Sequence, residues 1–278
     1  PGIHNTNQGP DFLNAKIKCG STILAGSIEI HIKSSEWQEH GHSKDKNYGN
    51  VILHVVWLND RDIKLNFPTA ELNDRVSNHL LAKYETLMAT KYFIPCEEQI
   101  RFVDEFTVVA WKHRLFIERL QEKAAFAETL LQKTTNHWEE VFWIMLAKNF
   151  GIKINSEAFE RIASSVPLAV LAKHKNQIHQ TEALLMGQAG LLDNTFTDDY
   201  PLMLQKEYAF LQKKYALEKI HSPVHFLRMR PANFPTLRLS QLAALIHQSD
   251  HLFSGVKDTA ELKEVIKLFN VTANDYWH

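Results

Sequence analysis

The hydrophobic period of this chain changes once, near residue 95, and that change limits the fold more than any other feature. Before it, apolar residues recur at every second position, the spacing of a half-buried strand. FLNAKIK (12–18), TILAGSIEIHIK (22–33) and VILHVVWL (51–58) read as strands, with CGS (19–21) as a tight turn and Gly26 as a point of bending. DIKLNFPTAEL (62–72) reads as a shorter strand pair or an edge segment, and 74–90 as a helix leading away from the sheet. From residue 96 the period is 3.6, and amphipathic helices follow one another to TAELKEVIKLF (259–269). Asn136 is the expected N-cap of NHWEEVFWIMLAKNFG, and Gly151 its stop. The expected fold class is therefore α+β: residues 1–95 form a mixed-sheet domain with a flanking helix, and 96–278 an all-α domain.

Composition narrows the function classes. Hydrophobic residues make up 45% of 278, enough for a packed core, with no apolar run of membrane-spanning length. Two cysteines, Cys19 and Cys96, build no disulfide framework, so a cytoplasmic protein is expected. The net charge of −1 offers no long-range attraction for nucleic acid. Splitting the chain leaves this unchanged: residues 1–95 carry 10 basic and 10 acidic side chains, and 96–278 carry 21 and 22. The first residues, PGIHNTNQGPDF, do not resemble a natural start, and a truncated chain is expected.

The stretch GSIEIHIKSSEW carries most of the chemistry. In a strand, Ile28, Ile30 and Ile32 share one face and are expected to enter a core. Glu29, His31 and Lys33 share the other. A hairpin about Gly20 brings Asp11 opposite roughly residue 29. Two carboxylates so placed suit a hard divalent cation. Asp11 and Glu29 are thus the expected metal ligands, and Mg2+ or Mn2+ the expected ion, with Zn2+ ranked behind. Lys33 or His31 then orients a water or stabilises an anionic transition state, and His42 is a further candidate base.

Pro10-Asp11, a hairpin and Glu29 together resemble the PD-(D/E)XK nuclease superfamily, which implies a mixed sheet flanked by helices and metal-assisted phosphodiester hydrolysis. The resemblance covers about residues 1–95, and it departs from the family where His31 occupies the lysine position and Lys33 falls one strand period later. Over nearly the whole chain, NTNQGPDFLNAKI, GSIEIHIKSSEW, YGNVILHVVW, EALLMGQAG and RMRPANFPTLRLSQLA resemble a bacterial family common in Bacteroidetes, domain of unknown function 2851. That resemblance implies longer relatives at both ends and no particular activity.

The leading expectation is a divalent-metal-dependent nuclease or phosphodiesterase, with DNA or RNA as partner and no membrane. Arg228, Arg230 and Arg238, on a proline-braced segment of the helical part, are the candidate phosphate contacts. The alternative is a non-catalytic nucleic-acid-binding or scaffold protein with a degenerate nuclease-like sheet, its arginines tied up internally. A second alternative is a zinc-dependent hydrolase using His31, His42 and His54, should the strands 22–33 and 51–58 be neighbours. The glycines of EALLMGQAGLL lack a phosphate-loop lysine and read as a helix end.

Overall fold

The structure, a computed structural model, describes residues 2–5, 8–220, 224–227 and 229–277. It is α+β: a mixed sheet with a flanking helix comes first and a long all-α region follows. The chain divides into two compact units, residues 1–111 and 112–278.

Among the described residues the first unit holds five strands in sequential order: β1 (Ile3–His4), β2 (Phe12–Cys19), β3 (Thr22–Lys33), β4 (Val51–Leu58) and β5 (Thr69–Glu71). β1, β2 and β3 pair antiparallel, whereas β3, β4 and β5 pair parallel. The β2–β3 hairpin turns at Gly20, whose φ of +61° lies in the left-handed region that glycine enters without strain. Its register slips between Phe12 and Ala15, with Asn14 at φ +55°, so the two ends of β2 are offset. Gly26 is needed for approach: a Cβ there would come within 2.5 Å of Asn50 O and Ile52 Cγ2.

A parallel β3–β4 pair needs a crossover, and residues 34–50 supply it. This segment contains only α1 (Glu36–Glu39) and two single-turn 3-10 helices, His42–Lys44 and Lys46–Tyr48. Its start is pinned by Asp60 beyond β4. That carboxylate accepts from Ser35 N and Ser34 Oγ at 3.0 Å and from Ser35 Oγ at 2.9 Å. These donors, the Ser35 N–H foremost, draw the Asp60 pKa down to about 2. Trp37 of α1 is 2% exposed and anchors the crossover on the sheet. α2 (Asn78–Met88) follows β5.

The expected assignment of faces on β3 holds at Ile28, which is buried, and is reversed beyond it. Ile30 is 44% and Ile32 66% exposed, whereas Glu29 and His31 are buried. The crossover lies over the polar face, and its aromatic residues bury the carboxyl and imidazole groups there.

The second unit begins within the 29-residue α3 (Glu105–Lys133). It continues through α4 (Trp138–Phe150), α5 (Ser156–Ser165), α6 (Leu168–His174), α7 (Ile178–Gln188), α8 (Asp199–Tyr215), α9 (Pro235–Gln248), α10 (Leu252–Asp258) and α11 (Leu262–Leu268). Its core gathers Trp143, Ile144, Phe159, Leu184, Met186, Leu204, Leu211 and Leu242. The N-cap of α4 is His137, whose ring accepts from Glu140 N; Asn136, expected in that role, sits at φ +64° one residue earlier. α7 ends at a turn with Gly190 at φ +71°. Among the described residues no helix is long and apolar enough to cross a membrane.

Candidate metal centre

Alternation along β3 puts Glu29 and His31 on one face, and the parallel register sets His54 of β4 opposite Glu29. His54 is 0% exposed. The crossover returns over this face. His40 ends α1, Gly41 takes a φ of +71°, and His42 opens the next turn. This left-handed glycine between two histidines lets both rings converge on the strand rather than diverge.

The convergence is on His31. Its Nε2 lies 3.3 Å from His40 Nδ1, 3.3 Å from His42 Nε2 and 3.4 Å from Glu29 Oε1. Glu29 Oε1 is also 3.5 Å from His42 Nε2. One ligand atom from each of His31, His40 and His42 lies within 4.8 Å of the others, a cluster able to hold a metal ion. A ring nitrogen offers one hydrogen or one lone pair, so hydrogen bonds from His31 Nε2 to several neighbours must be shared. A cation among them would take a lone pair from each. With zinc–nitrogen bonds of about 2.0–2.1 Å, the edge of a tetrahedron is about 3.3–3.4 Å. Three of the four spacings have that length, and the fourth, Glu29 Oε1 to His42 Nε2 at 3.5 Å, is slightly longer.

The other side of each group is occupied. His31 Nδ1 meets His54 Nε2 at 2.9 Å. Glu29 Oε2 accepts the Asp11 N–H at 3.0 Å. His42 stacks on Tyr48 with ring centroids 3.8 Å apart, and Trp37 packs edge-on against His42 and donates from Nε1 to Ser43 Oγ. His40 is exposed, so the cluster reaches solvent on that side.

Electrostatics follow from burial. Desolvation, then the neighbouring His54 and His40, lowers the His31 pKa to about 4. Desolvation, then His31 and His40, brings His42 to about 4 as well. Desolvation also lowers His54. Burial, then the Asp11 charge, raises Glu29 to about 7. Tyr48 is pushed up to about 12 by burial and then by Glu29. The close Glu29–imidazole contacts therefore join neutral rings to a carboxyl that resists ionisation, and they are not ion pairs. Neutral imidazoles are the form that binds a metal, and a bound cation would favour the carboxylate.

The sequence expectations fare unevenly. The Mg2+ or Mn2+ assignment is corrected: three imidazoles converge here, and nitrogen-rich sets suit Zn2+ whereas Mg2+ takes oxygen. Asp11 does lie beside Glu29, with its Oδ2 accepting the Ile30 N–H at 2.9 Å. Lys33 is exposed at the end of β3. His54, expected as a ligand, stands behind His31. His40 was missed, although the His-x-His spacing about Gly41 was its signal.

Of the three arginines, Arg228 lies outside the described residues. Arg230 is exposed, and Arg238 donates to Asn233 Oδ1 and Gln241 Oε1. A cavity of about 400 Å3 in the helical unit is walled mainly by Phe142, Trp143, Leu146, Leu171 and Phe253, with Glu139, Lys175 and His251 also in its lining.

A sequence model described as "Protein of unknown function (DUF2851)" matches residues 1–278. The chain belongs to that family. No curated protein and no solved structure matches it. Membership in DUF2851 assigns no activity, so the geometry of the histidine cluster carries the functional argument.

Proposed function

We propose that this member of DUF2851 is a zinc-dependent hydrolase whose metal is held by His31 Nε2, His40 Nδ1 and His42 Nε2. The supporting observation is the set of 3.3–3.5 Å spacings among His31, His40, His42 and Glu29, close to the edge lengths of a zinc tetrahedron. Zinc in a three-histidine site supplies a water acidic enough to act as a nucleophile near neutral pH. With zinc bound there, Glu29 Oε1 would be placed to accept a proton from such a water, its Oε2 held by the Asp11 N–H. The exposed edge at His40 is where an ester or phosphoester enters. The test is hydrolysis of p-nitrophenyl acetate and bis(p-nitrophenyl) phosphate by zinc-loaded protein. Expected is turnover lost on chelation and in His31→Ala, and about 10²–10⁴-fold lower in Glu29→Gln. Zinc-loaded protein inert to both esters, or turnover indifferent to chelation, overturns it.

A structural zinc site is the second reading. Glu29 Oε1 stands at tetrahedral-edge distance from both His31 and His42, where it would close the fourth position. Glu29→Gln separates the two: a hydrolase base keeps zinc and loses turnover, whereas a fourth ligand loses zinc.

A further inference from the structure

We propose that His54 is a positioning residue for this centre, holding the His31 ring in the tautomer that turns a bare Nε2 toward the metal. The inference rests on the zinc reading and adds a residue that makes no contact with the ion.

His54 is out of place by the ordinary logic of its strand. VILHVVWL is otherwise apolar, and His54 is 0% exposed within it. One nitrogen, Nε2, meets His31 Nδ1 at 2.9 Å. The other, Nδ1, has no hydrogen-bond partner among the described residues. Leucine or phenylalanine would fill the same space without burying an unpaired polar atom. The histidine therefore performs a task that an apolar side chain cannot.

The task follows from where the hydrogens sit. A metal on His31 Nε2 needs a lone pair there, so the His31 hydrogen must reside on Nδ1. The 2.9 Å contact then has one sense: His31 Nδ1–H donates to His54 Nε2. His54 must in turn carry its own hydrogen on Nδ1, the atom left without a partner. The orphaned group is thus the consequence of presenting His31 correctly. An acceptor behind a ligating imidazole is the usual means of fixing ring orientation and raising basicity. Here a second imidazole supplies it.

Rigidity strengthens the effect. His31 and His54 stand on adjacent, directly paired strands, and their rings meet edge to face at 83°. Trp37 packs against both rings, with centroids 5.3 Å from His54 and 6.5 Å from His31. His40 and His42 come instead from the crossover. The sheet fixes one ligand, and the crossover closes the others upon it.

The experiment compares zinc affinity of wild type, His54→Phe and His54→Gln, with cobalt(II) visible spectra as a second readout and ¹⁵N NMR of the imidazoles as a third. Phenylalanine keeps the ring volume and removes the acceptor, whereas glutamine restores an acceptor near the Nε2 position. Expected is zinc binding weakened about 10–100-fold in His54→Phe with a shifted cobalt spectrum, largely restored in His54→Gln. In zinc-loaded wild type, both His31 and His54 are expected as Nδ1–H tautomers, a readout that survives any misfolding of a variant. Wild-type binding with unchanged affinity and spectrum in His54→Phe, or His54 found as the Nε2–H tautomer, overturns the inference and leaves the zinc reading standing. Wild type that binds no zinc removes both.

Discussion

The Asp11 N–H donates to Glu29 Oε2 at 3.0 Å, while the Asp11 carboxylate accepts the N–H of Ile30, the next residue along the same strand. This two-way clasp spans the β2–β3 hairpin. It fixes the Glu29 carboxyl with Oε1 toward the imidazoles and sets a negative charge beside it. After burial, that charge is the larger reason why Glu29 resists ionisation. Asp11→Asn keeps an acceptor for Ile30 and removes the charge. Its expected effect is to lower the Glu29 pKa in zinc-free protein, seen by ¹³C NMR of the side-chain carboxyl. An unchanged value would contradict a role for Asp11.

His40 is the exposed ligand of the three, so its loss bears on the metal more than on the fold. His40→Ala is expected to weaken zinc by more than the roughly 10–100-fold that a residue behind a ligand costs. Thermal stability of the zinc-free protein should change by less than about 0.5 kcal/mol, as for other surface substitutions. His42→Ala removes both a ligand and the stack on Tyr48, so it should lower both quantities. Lys33→Ala, at an exposed position, should change neither. Calorimetric zinc titration and thermal melts check all three variants.

Zinc-free stability should peak near neutrality. His31 and His42 fall from 6.5 to about 4 on folding, so the unfolded chain binds more protons between those limits. Their contribution is lost as pH drops from 6.5 toward 4. Glu29 rises from 4.5 to about 7, so the folded chain holds the extra proton and stability declines as pH climbs through that range. These two imidazoles, with His54 lowered in the same direction, outweigh one carboxyl below 6.5, and only Glu29 acts above it. Hydrogen-exchange protection of β3 and β4 amides, corrected for intrinsic rates, should therefore be greatest near pH 6.5 and lower at 4.5 and 8. A monotonic rise across that range would contradict the assignment.

In the helical unit, Gly187 of α7 lies so close to α8 that a Cβ would sit 2.2 Å from the Tyr208 ring. Both residues belong to the buried interior. Gly187→Ala should destabilise by about 1–3 kcal/mol through overpacking, despite alanine's better helix propensity. Tyr208→Leu in the same background should recover part of the loss. Urea denaturation measures both.

The strands were legible because alternation marks 12–18 and 22–33 and β-branched, nearly continuous apolarity marks 51–58, against 12–19, 22–33 and 51–58 observed. The nearness of Asp11 to Glu29 followed from counting back through the hairpin. Which face of β3 is buried was not legible. Alternation says that the two faces differ, and Ile30 with Ile32 is the usual inner face. The decision lies in a tertiary fact, the path of residues 34–50, whose Trp37 and Tyr48 cover the imidazoles instead. His40 escaped for a related reason, since a polar loop shows no periodicity and its ring position depends on the left-handed turn at Gly41. His54 was recognisable as anomalous in its strand, but its place behind His31 depends on the β3–β4 register.

The most direct measurement is zinc K-edge X-ray absorption on protein reconstituted with zinc and dialysed, beside a His31→Ala, His42→Ala double variant. Expected is one zinc per chain with nearest nitrogen and oxygen neighbours at about 2.0–2.1 Å and the multiple-scattering signature of imidazole, lost in the variant. A protein that retains no zinc, or a zinc shell without imidazole scattering, contradicts a metal centre on His31, His40 and His42.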